Sequence, residues 1–343
     1  MPGARSSAPM GWSRRSRCTR AATARPADHS PPHREPKDTG MEKIAFIGLG
    51  TMGLPMVRNL AKSGAPLSVF DVNADALSAA SSETGATPLS VSADAAEADV
   101  LILMLPDSTI VKAVLGDPDD PESLAGRLRP GTLVVDMGSS APEATAALAT
   151  SLSAKNVSMV DAPVSGGPRK AATGTLTIMA GGARDDYDRA LPILRTMGES
   201  VTHVGPVGSA HALKALNNLL SAIGLVGALE VLTVGKKFGL SPHVMLGVIN
   251  KSTGRNQATE VKIEPQVLDG GCNVGFSLPL TVKDITTALN LARSQNLDLP
   301  VAEACVQLCT TALEELRADG LGNPDQSEIA RYLGQRTGVS LLP

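Results

Sequence analysis

Between residue 41 and about residue 204 the chain alternates short apolar runs with longer stretches of mixed polarity. The runs Ile44–Ile47, Leu67–Phe70, Val100–Leu103, Leu133–Val135, Ser158–Val160 and Thr175–Met179 have strand length. Ile44–Ile47, Val100–Leu103 and Leu133–Val135 are apolar throughout, the pattern of strands covered on both faces. Helical patterns are predicted between them near 53–62, 74–83, 108–115, 141–155 and 184–197. This alternation predicts an α/β Rossmann-like domain, an open and mostly parallel sheet with helices on both faces. From about residue 208 the pattern changes. Leu213–Phe238 reads as one long helix, apolar around much of its circumference, which points to a bundle core or a subunit interface. Helical segments follow near 242–250, 256–268, 279–295, 300–318 and 325–336, and no strand pattern returns. The expected organisation is a disordered extension over 1–40, a dinucleotide-binding domain over 41–204 and an all-helical C-terminal domain over 205–343.

The first forty residues are rich in Arg, Pro, Ser and Ala and have no hydrophobic periodicity, hence the expectation of disorder. Their arginines suit an organelle transit peptide. Their prolines and the lack of an amphipathic helix argue against one. Met41 stands immediately before the first strand, so a misplaced start or a vector-like extension is the preferred reading.

Composition narrows the function. A net charge of −3 gives no footprint for nucleic acid or an anionic membrane surface, and 2% aromatic residues leave little for base stacking. Cys18, Cys272, Cys305 and Cys309 have no metal or redox spacing, and the five histidines form no ligand cluster, so no metal is expected. No apolar run reaches eighteen residues without polar interruption, so no spanning helix is expected. The expected location is the cytoplasm, or mitochondria should the extension be a transit peptide.

The chemistry begins in the stretch Lys43–Val72. Strand, Gly48-Leu49-Gly50-Thr51-Met52-Gly53, helix, second strand and Asp71 follow in the order of the dinucleotide fingerprint. Gly48 permits the tight turn, Gly50 lets a pyrophosphate approach the backbone, and Gly53 lets the helix pack on the strand. The phosphates would meet the helix N-terminus. Asp71 can accept the adenosine ribose hydroxyls and would repel a 2′-phosphate, while Val72 and Asn73 offer no cation. NAD is therefore expected over NADP. Leu105-Pro106 and Ser139 follow two further strands, at the carboxyl ends where cofactors bind in such sheets.

Four separated motifs resemble the β-hydroxyacid dehydrogenase family, whose members include 3-hydroxyisobutyrate dehydrogenase and tartronate semialdehyde reductase. They are FIGLGTMGLPM (46–56); DAPVSGG (161–167) with GTLTIMAGG (174–182); GSAHALKALNN (208–218); and LTVKD (280–284). The resemblance implies a Rossmann-like domain followed by a helical domain that mediates oligomerisation, as a homodimer or homotetramer. It implies that Ser165, Gly166 and Gly167 bind the substrate carboxylate, that Lys214 transfers the proton with Asn218 as its partner, and that Lys283 and Ser139 meet the cofactor. Gly138 departs from the family's usual Ser or Thr before that hydroxyl. Lys214 and Asn218 stand at i and i+4, on one helix face, and Asn217 points elsewhere. Ser252–Asn256 resembles the Ser-Gly-Arg region of 3-hydroxyisobutyrate dehydrogenases, which makes Arg255 a further candidate for a substrate carboxylate. The implied activity interconverts a small 3-hydroxy acid and its semialdehyde. Tartronate, glyoxylate and succinic semialdehyde reduction are the alternatives. A binding module that had lost catalysis would lack the Lys214–Asn218 pair.

Overall fold

The computed structural model describes residues 41–343, and the expected extension, residues 1–40, lies outside the described residues. The run Ile44–Ile47 is buried at every position and forms β1. Ile44 and Phe46 join the hydrophobic cluster on one face of the sheet, and Ala45 and Ile47 join the cluster on the other. That division explains the unbroken apolar run, because a strand with helices on both faces has no wet side. The elements then run α1 (Gly53–Ala61), β2 (Leu67–Phe70), α2 (Ala74–Thr84), β3 (Thr87–Pro88), β4 (Val100–Leu103), α3 (Ser108–Leu115), α4 (Leu124–Arg127), β5 (Leu133–Asp136), α5 (Pro142–Ser153), β6 (Ser158–Asp161), β7 (Val164–Ser165), α6 (Gly167–Thr173), β8 (Leu176–Gly181), α7 (Arg184–Leu194) and β9 (Gly198–Gly205).

The sheet order is β3-β2-β1-β4-β5-β6-β8-β7, with β9 added beside β8. Strands β1 to β6 pair in parallel, the order of a doubly wound dinucleotide fold. The chain switches direction between β1 and β4, so the carboxyl ends of those strands open a crevice. The pairs β6–β8 and β7–β8 are antiparallel, and β8–β9 is parallel. Strand β9 has no counterpart among the sequence expectations. Its sequence, GESVTHVG, is polar and only half covered, so it lacks the apolar run that marks the buried strands.

The helical part comprises α8 (Ser209–Phe238), α9 (Pro242–Ile249), α10 (Gln257–Val261), a π-helical turn over Glu264–Leu268, α11 (Leu278–Ser294), α12 (Pro300–Ala318) and α13 (Ile329–Thr337). The single helix expected over 256–268 is interrupted. Pro265 has no N–H to continue an α-helical ladder, and the chain winds into the wider turn there. Leu219, Leu225, Leu229 and Leu232 of α8 enter one core with Ile285 and Leu289 of α11 and Leu316 of α12. The outer face of α8 is different: Val231, Val234 and Phe238 are exposed. By length and composition α8 is apolar enough to cross a membrane, and its inner face packs in the helical core. Residues Met41–Pro343 form one compact unit.

Candidate active site

The glycine turn between β1 and α1 has three constraints. Gly48 lies at φ +103°, and a Cβ there would strike the Met104 carbonyl at the end of β4. A Cβ on Gly53 would strike the Gly48 carbonyl and come within 3.3 Å of the Phe46 ring. A Cβ on Gly50 would meet nothing within 4 Å, so the space above Gly50 is open cleft. No side chain caps the first turn of α1. Its free N–H groups and partial positive charge thus face a space of the right kind for an anion.

Asp71 ends β2 beside this turn. Its Oδ2 accepts the Leu49 N–H at 2.6 Å and its Oδ1 accepts the Asn73 N–H at 2.8 Å. The carboxylate therefore holds the glycine turn as well as facing the cleft. The Leu49 side chain is buried, so this residue serves the turn through its backbone.

Across the cleft, Lys283 of α11 donates to the carbonyls of Pro106 at 2.8 Å and Ser139 at 2.7 Å. It thereby ties α11 to the loops after β4 and β5. Asp284, the next residue, is buried and gathers three partners. It accepts from Ser139 Oγ at 2.9 Å and Asn218 Nδ2 at 2.5 Å, and pairs with Lys283 at 3.0 Å. Sequence reading quoted Asp284 only as the end of a motif. Its signal was adjacency to a candidate lysine plus an otherwise apolar helix face, Thr281, Ile285 and Ala288 being buried with it.

Lys214 lies on α8 in the wall of the same cleft and makes no hydrogen bond among the described residues. Burial pushes its ammonium below the ordinary lysine range. Asp284 opposes that shift, and Lys283 and Lys262 add to it. Asn218 is one turn on and is turned to Asp284, while Asn217 is exposed. Ser165, Gly166 and Gly167 close the cleft opposite; a Cβ on Gly167 would meet nothing within 4 Å, and Gly166 lies at φ +130°.

One cleft of about 1130 Å³ thus joins Gly50, Asp71, Ser139, Ser165, Lys214 and Lys283. Thr51, Met52, Leu105 and Pro106 border it too. Arg255 does not. It sits exposed in the turn after α9, away from the cleft wall, so the structure does not bring it to the other candidates. No cluster of three metal-ligating side chains is found among the described residues.

An open glycine turn at an uncapped helix, an acid at the end of β2 and a desolvated lysine in one cleft fit a dinucleotide with a small substrate beside it. That is the site of a nucleotide-dependent oxidoreductase. Comparison with known proteins agrees. Residues 43–205 match the family model for the NAD binding domain of 6-phosphogluconate dehydrogenase, and residues 208–333 match that for the NAD-binding domain of NADP-dependent 3-hydroxyisobutyrate dehydrogenase. A 2-(hydroxymethyl)glutarate dehydrogenase of Eubacterium barkeri is 36% identical over 299 residues, 87% of this chain and 97% of the relative. The human mitochondrial 3-hydroxyisobutyrate dehydrogenase is 32% identical over 330 residues, 94% of each. Among solved structures, the Mycobacterium tuberculosis 3-hydroxyisobutyrate dehydrogenase with L-serine aligns at TM-score 0.74 and 29% identity, covering 85% of this chain and 99% of that one. The chain belongs to the β-hydroxyacid dehydrogenase family. It is an NAD(P)-dependent oxidoreductase acting on the CH–OH group of a hydroxy acid.

Proposed function

We propose that the chain interconverts a small 3-hydroxy acid and its semialdehyde, with 3-hydroxyisobutyrate as the nearest substrate type and NAD as the preferred cofactor. The observation that carries this reading is Lys214: a desolvated ammonium, free of hydrogen bonds to the described residues, in the same cleft as Gly50 and Ser165. A nicotinamide dinucleotide held by the glycine turn and Asp71 would supply the hydride acceptor for this oxidation. The chain supplies the rest. Ser165 Oγ and the N–H groups of Gly166 and Gly167 hold the substrate carboxylate. Neutral Lys214 Nζ takes the hydroxyl proton during oxidation and returns it during reduction. Asn218 and Ser139 are held by Asp284, which fixes the lysine helix against the cofactor loop. Asp71, in the cleft wall, would accept from the adenosine ribose hydroxyls. Lys283 bridges the parts contributed by residues 41–204 and 205–343.

A homodimer or homotetramer built on the outer face of α8 and α9 accompanies this reading, supported by exposed Val234, Phe238, Val244 and Val248. The cytoplasm is the proposed location, with mitochondria as the alternative because the human relative is named mitochondrial. The test is a panel of C3 and C4 hydroxy acids with NAD or NADP, read by absorbance of the reduced cofactor. Activity confined to tartronate, glyoxylate or succinic semialdehyde would replace the proposed substrate.

A further inference from the structure

The buried side of α1 carries one polar residue. Asn59 is 5% exposed and lies among Met56, Val57 and Leu60 of the same helix. Its Nδ2 donates to the carbonyls of Ala171 at 2.7 Å and Ala172 at 3.3 Å, both on α6, and to the Pro55 carbonyl of its own helix at 3.1 Å. Lys62 Nζ donates to its Oδ1 at 2.6 Å, which fixes the amide with its nitrogen toward those carbonyls. Ala171 and Ala172 stand in the last turn of α6, where carbonyls run out of partners within the helix. Gly174 ends α6 at φ +70°, with the Asn59 amide beside it. Among the described residues no other helix sends a side-chain hydrogen bond to α6.

The two helices that Asn59 joins both begin at the cleft. Helix α1 starts at Gly53, on the glycine turn that faces the dinucleotide. Helix α6 starts at Gly167, in the Ser165–Gly167 loop that faces the substrate carboxylate. Both glycines line the cleft wall. Asn59 is six residues beyond Gly53, about 9 Å along the axis, and Ala171 is four beyond Gly167, about 6 Å. The amide therefore ties the two helices together behind the cleft. A leucine in its place would fill the same space and leave α6 free to slide, because apolar burial has no direction. A buried amide with its partners in place fixes one register. Two anionic groups held in one cleft repel each other, and the tie resists the separation of the loops that hold them.

We infer that Asn59 is a positioning residue for hydride transfer. By tying α6 to α1 it sets where the substrate carboxylate, and with it the carbinol carbon, stands relative to the cofactor. It acts through the two helices and does not line the cleft itself. The inference rests on the dehydrogenase reading above.

The test is steady-state oxidation of 3-hydroxyisobutyrate by the wild type, Asn59→Leu and Asn59→Gln, with an NADH titration and a thermal melt of each. Leu removes the donor at similar volume, and Gln keeps the amide on a stem one methylene longer. Rates are read well below the lowest melting temperature, so that every variant is folded. Asn59→Leu should raise KM for the hydroxy acid and lower kcat. The ratio kcat/KM should fall by about tenfold or more, toward the roughly 100-fold cost of a small misplacement remote from the chemistry. NADH affinity should hardly change, since the glycine turn keeps its Asp71 acceptor. Asn59→Gln should recover part of the loss. A folded Asn59→Leu with a lowered melting temperature and unchanged KM and kcat would overturn the inference and leave Asn59 a packing residue. An equal loss of NADH and substrate affinity would overturn it too, because α1 itself would then be the part displaced. Should Asn59→Leu not fold, Asn59→Gln carries the same comparison, a raised KM at unchanged NADH affinity supporting the tie and an unchanged KM overturning it. Oxidation of no hydroxy acid by the wild type would sink the dehydrogenase reading. Calorimetric binding of isobutyrate to the NADH-bound protein would then decide Asn59 separately: weaker binding in the variant supports the tie, and equal binding overturns it.

Discussion

The backbone N–H of His211 donates to the Asp161 carboxylate at 2.8 Å, and the Gly208 N–H donates to its other oxygen at 2.8 Å. The last residue of β6 therefore caps the helix that carries Lys214 one turn on. Gly208 has no side chain to do so, and a carboxylate suits the positive end of a helix. Asp136, paired with Asp161 across the sheet, accepts from Gly138 N–H at 2.9 Å and Ser140 Oγ at 2.7 Å. The His211 ring lies between the two acids, hydrogen-bonded to Thr145 Oγ1 at 2.9 Å. Two adjacent strand ends thus hold the cofactor loop and the lysine helix in register.

Asp161→Asn tests this cap. The amide can accept only one of the two N–H groups and turns a donor toward the other. A loss of about 1–3 kcal/mol of stability is expected, with a fall in turnover that exceeds any loss of cofactor affinity. Burial holds the Asp161 carboxyl above the ordinary carboxylate range, against His211 and the two N–H bonds. Its protonated form is thus favoured in the folded chain. That contribution is complete below the ordinary carboxylate value of 3.8 and is lost as pH rises through the raised value. Urea melts across that acid window should show this slope in the wild type and not in the Asn variant.

Asp284→Ala removes the common acceptor of Ser139, Asn218 and Lys283. The half-buried Asn218 amide and Ser139 hydroxyl then lose this acceptor, a cost of up to about 1–3 kcal/mol for each group left unpaired. Turnover should fall with a smaller change in the affinity for cofactor phosphates, because the glycine turn is untouched. Asp284→Asn keeps one acceptor and should recover part of both. A variant with normal turnover and a lowered melting temperature would restrict Asp284 to stability.

The sheet was legible because strands covered on both faces leave unbroken apolar runs, as in β1, β4 and β5. The helices were legible because α11 and α12 repeat apolar residues at helical spacing. Strand β9 was hidden by its polar, half-covered sequence, and the π turn by a period that sequence pattern does not separate from α. Of the candidate site, the glycines were legible from their fixed local frame between two strands, and Lys214 through the resemblance of its motif to the family. Arg255 stands exposed and outside the cleft wall, because a turn motif does not say which way a surface side chain points. Asp161 and Asp284 were unseen as groups that hold the site, since their partners lie 47 and 145 residues away in sequence and only the fold brings them together.

Cofactor choice is expected to turn on Asp71 with a constraint set by its neighbours. Asn73 caps α2 by accepting from Asp75 and Ala76, so replacing it with Arg would cost about 1 kcal/mol of helix capping. Val72 is 93% exposed and is the better position for a cation. Asp71→Ser with Val72→Arg should move the NADP-to-NAD ratio of kcat/KM toward NADP by about tenfold or more, equivalent to a contact of about 1.4 kcal/mol. Total efficiency should fall, because the Leu49 N–H loses its 2.6 Å acceptor. Wild-type use of NADP as good as NAD would overturn the assignment.

Lys214 makes the sharpest demand. Oxidation needs its amine neutral, and burial first, then Lys283 and Lys262, lower it below the ordinary lysine value of 10.5 against the pull of Asp284. The kcat/KM for oxidation should therefore rise with pH through an apparent pKa below 10.5. Lys214→Ala should reduce single-turnover hydride transfer by about 10²- to 10⁴-fold, the usual worth of a positioned acid or base. Lys214→Arg should rescue oxidation poorly, because guanidinium stays protonated. Cofactor affinity should hardly change in either variant, since the glycine turn and Asp71 are on other elements. Stability carries the same signature with a definite sign. Between the lowered folded value and 10.5 the unfolded chain holds more protons at this site, so the wild type gains stability as pH rises through that window. Lys214→Ala lacks the gain. Near-normal hydride transfer in the folded Ala variant would assign the proton to another group, and loss of cofactor binding with activity would make Lys214 a cofactor or structural residue.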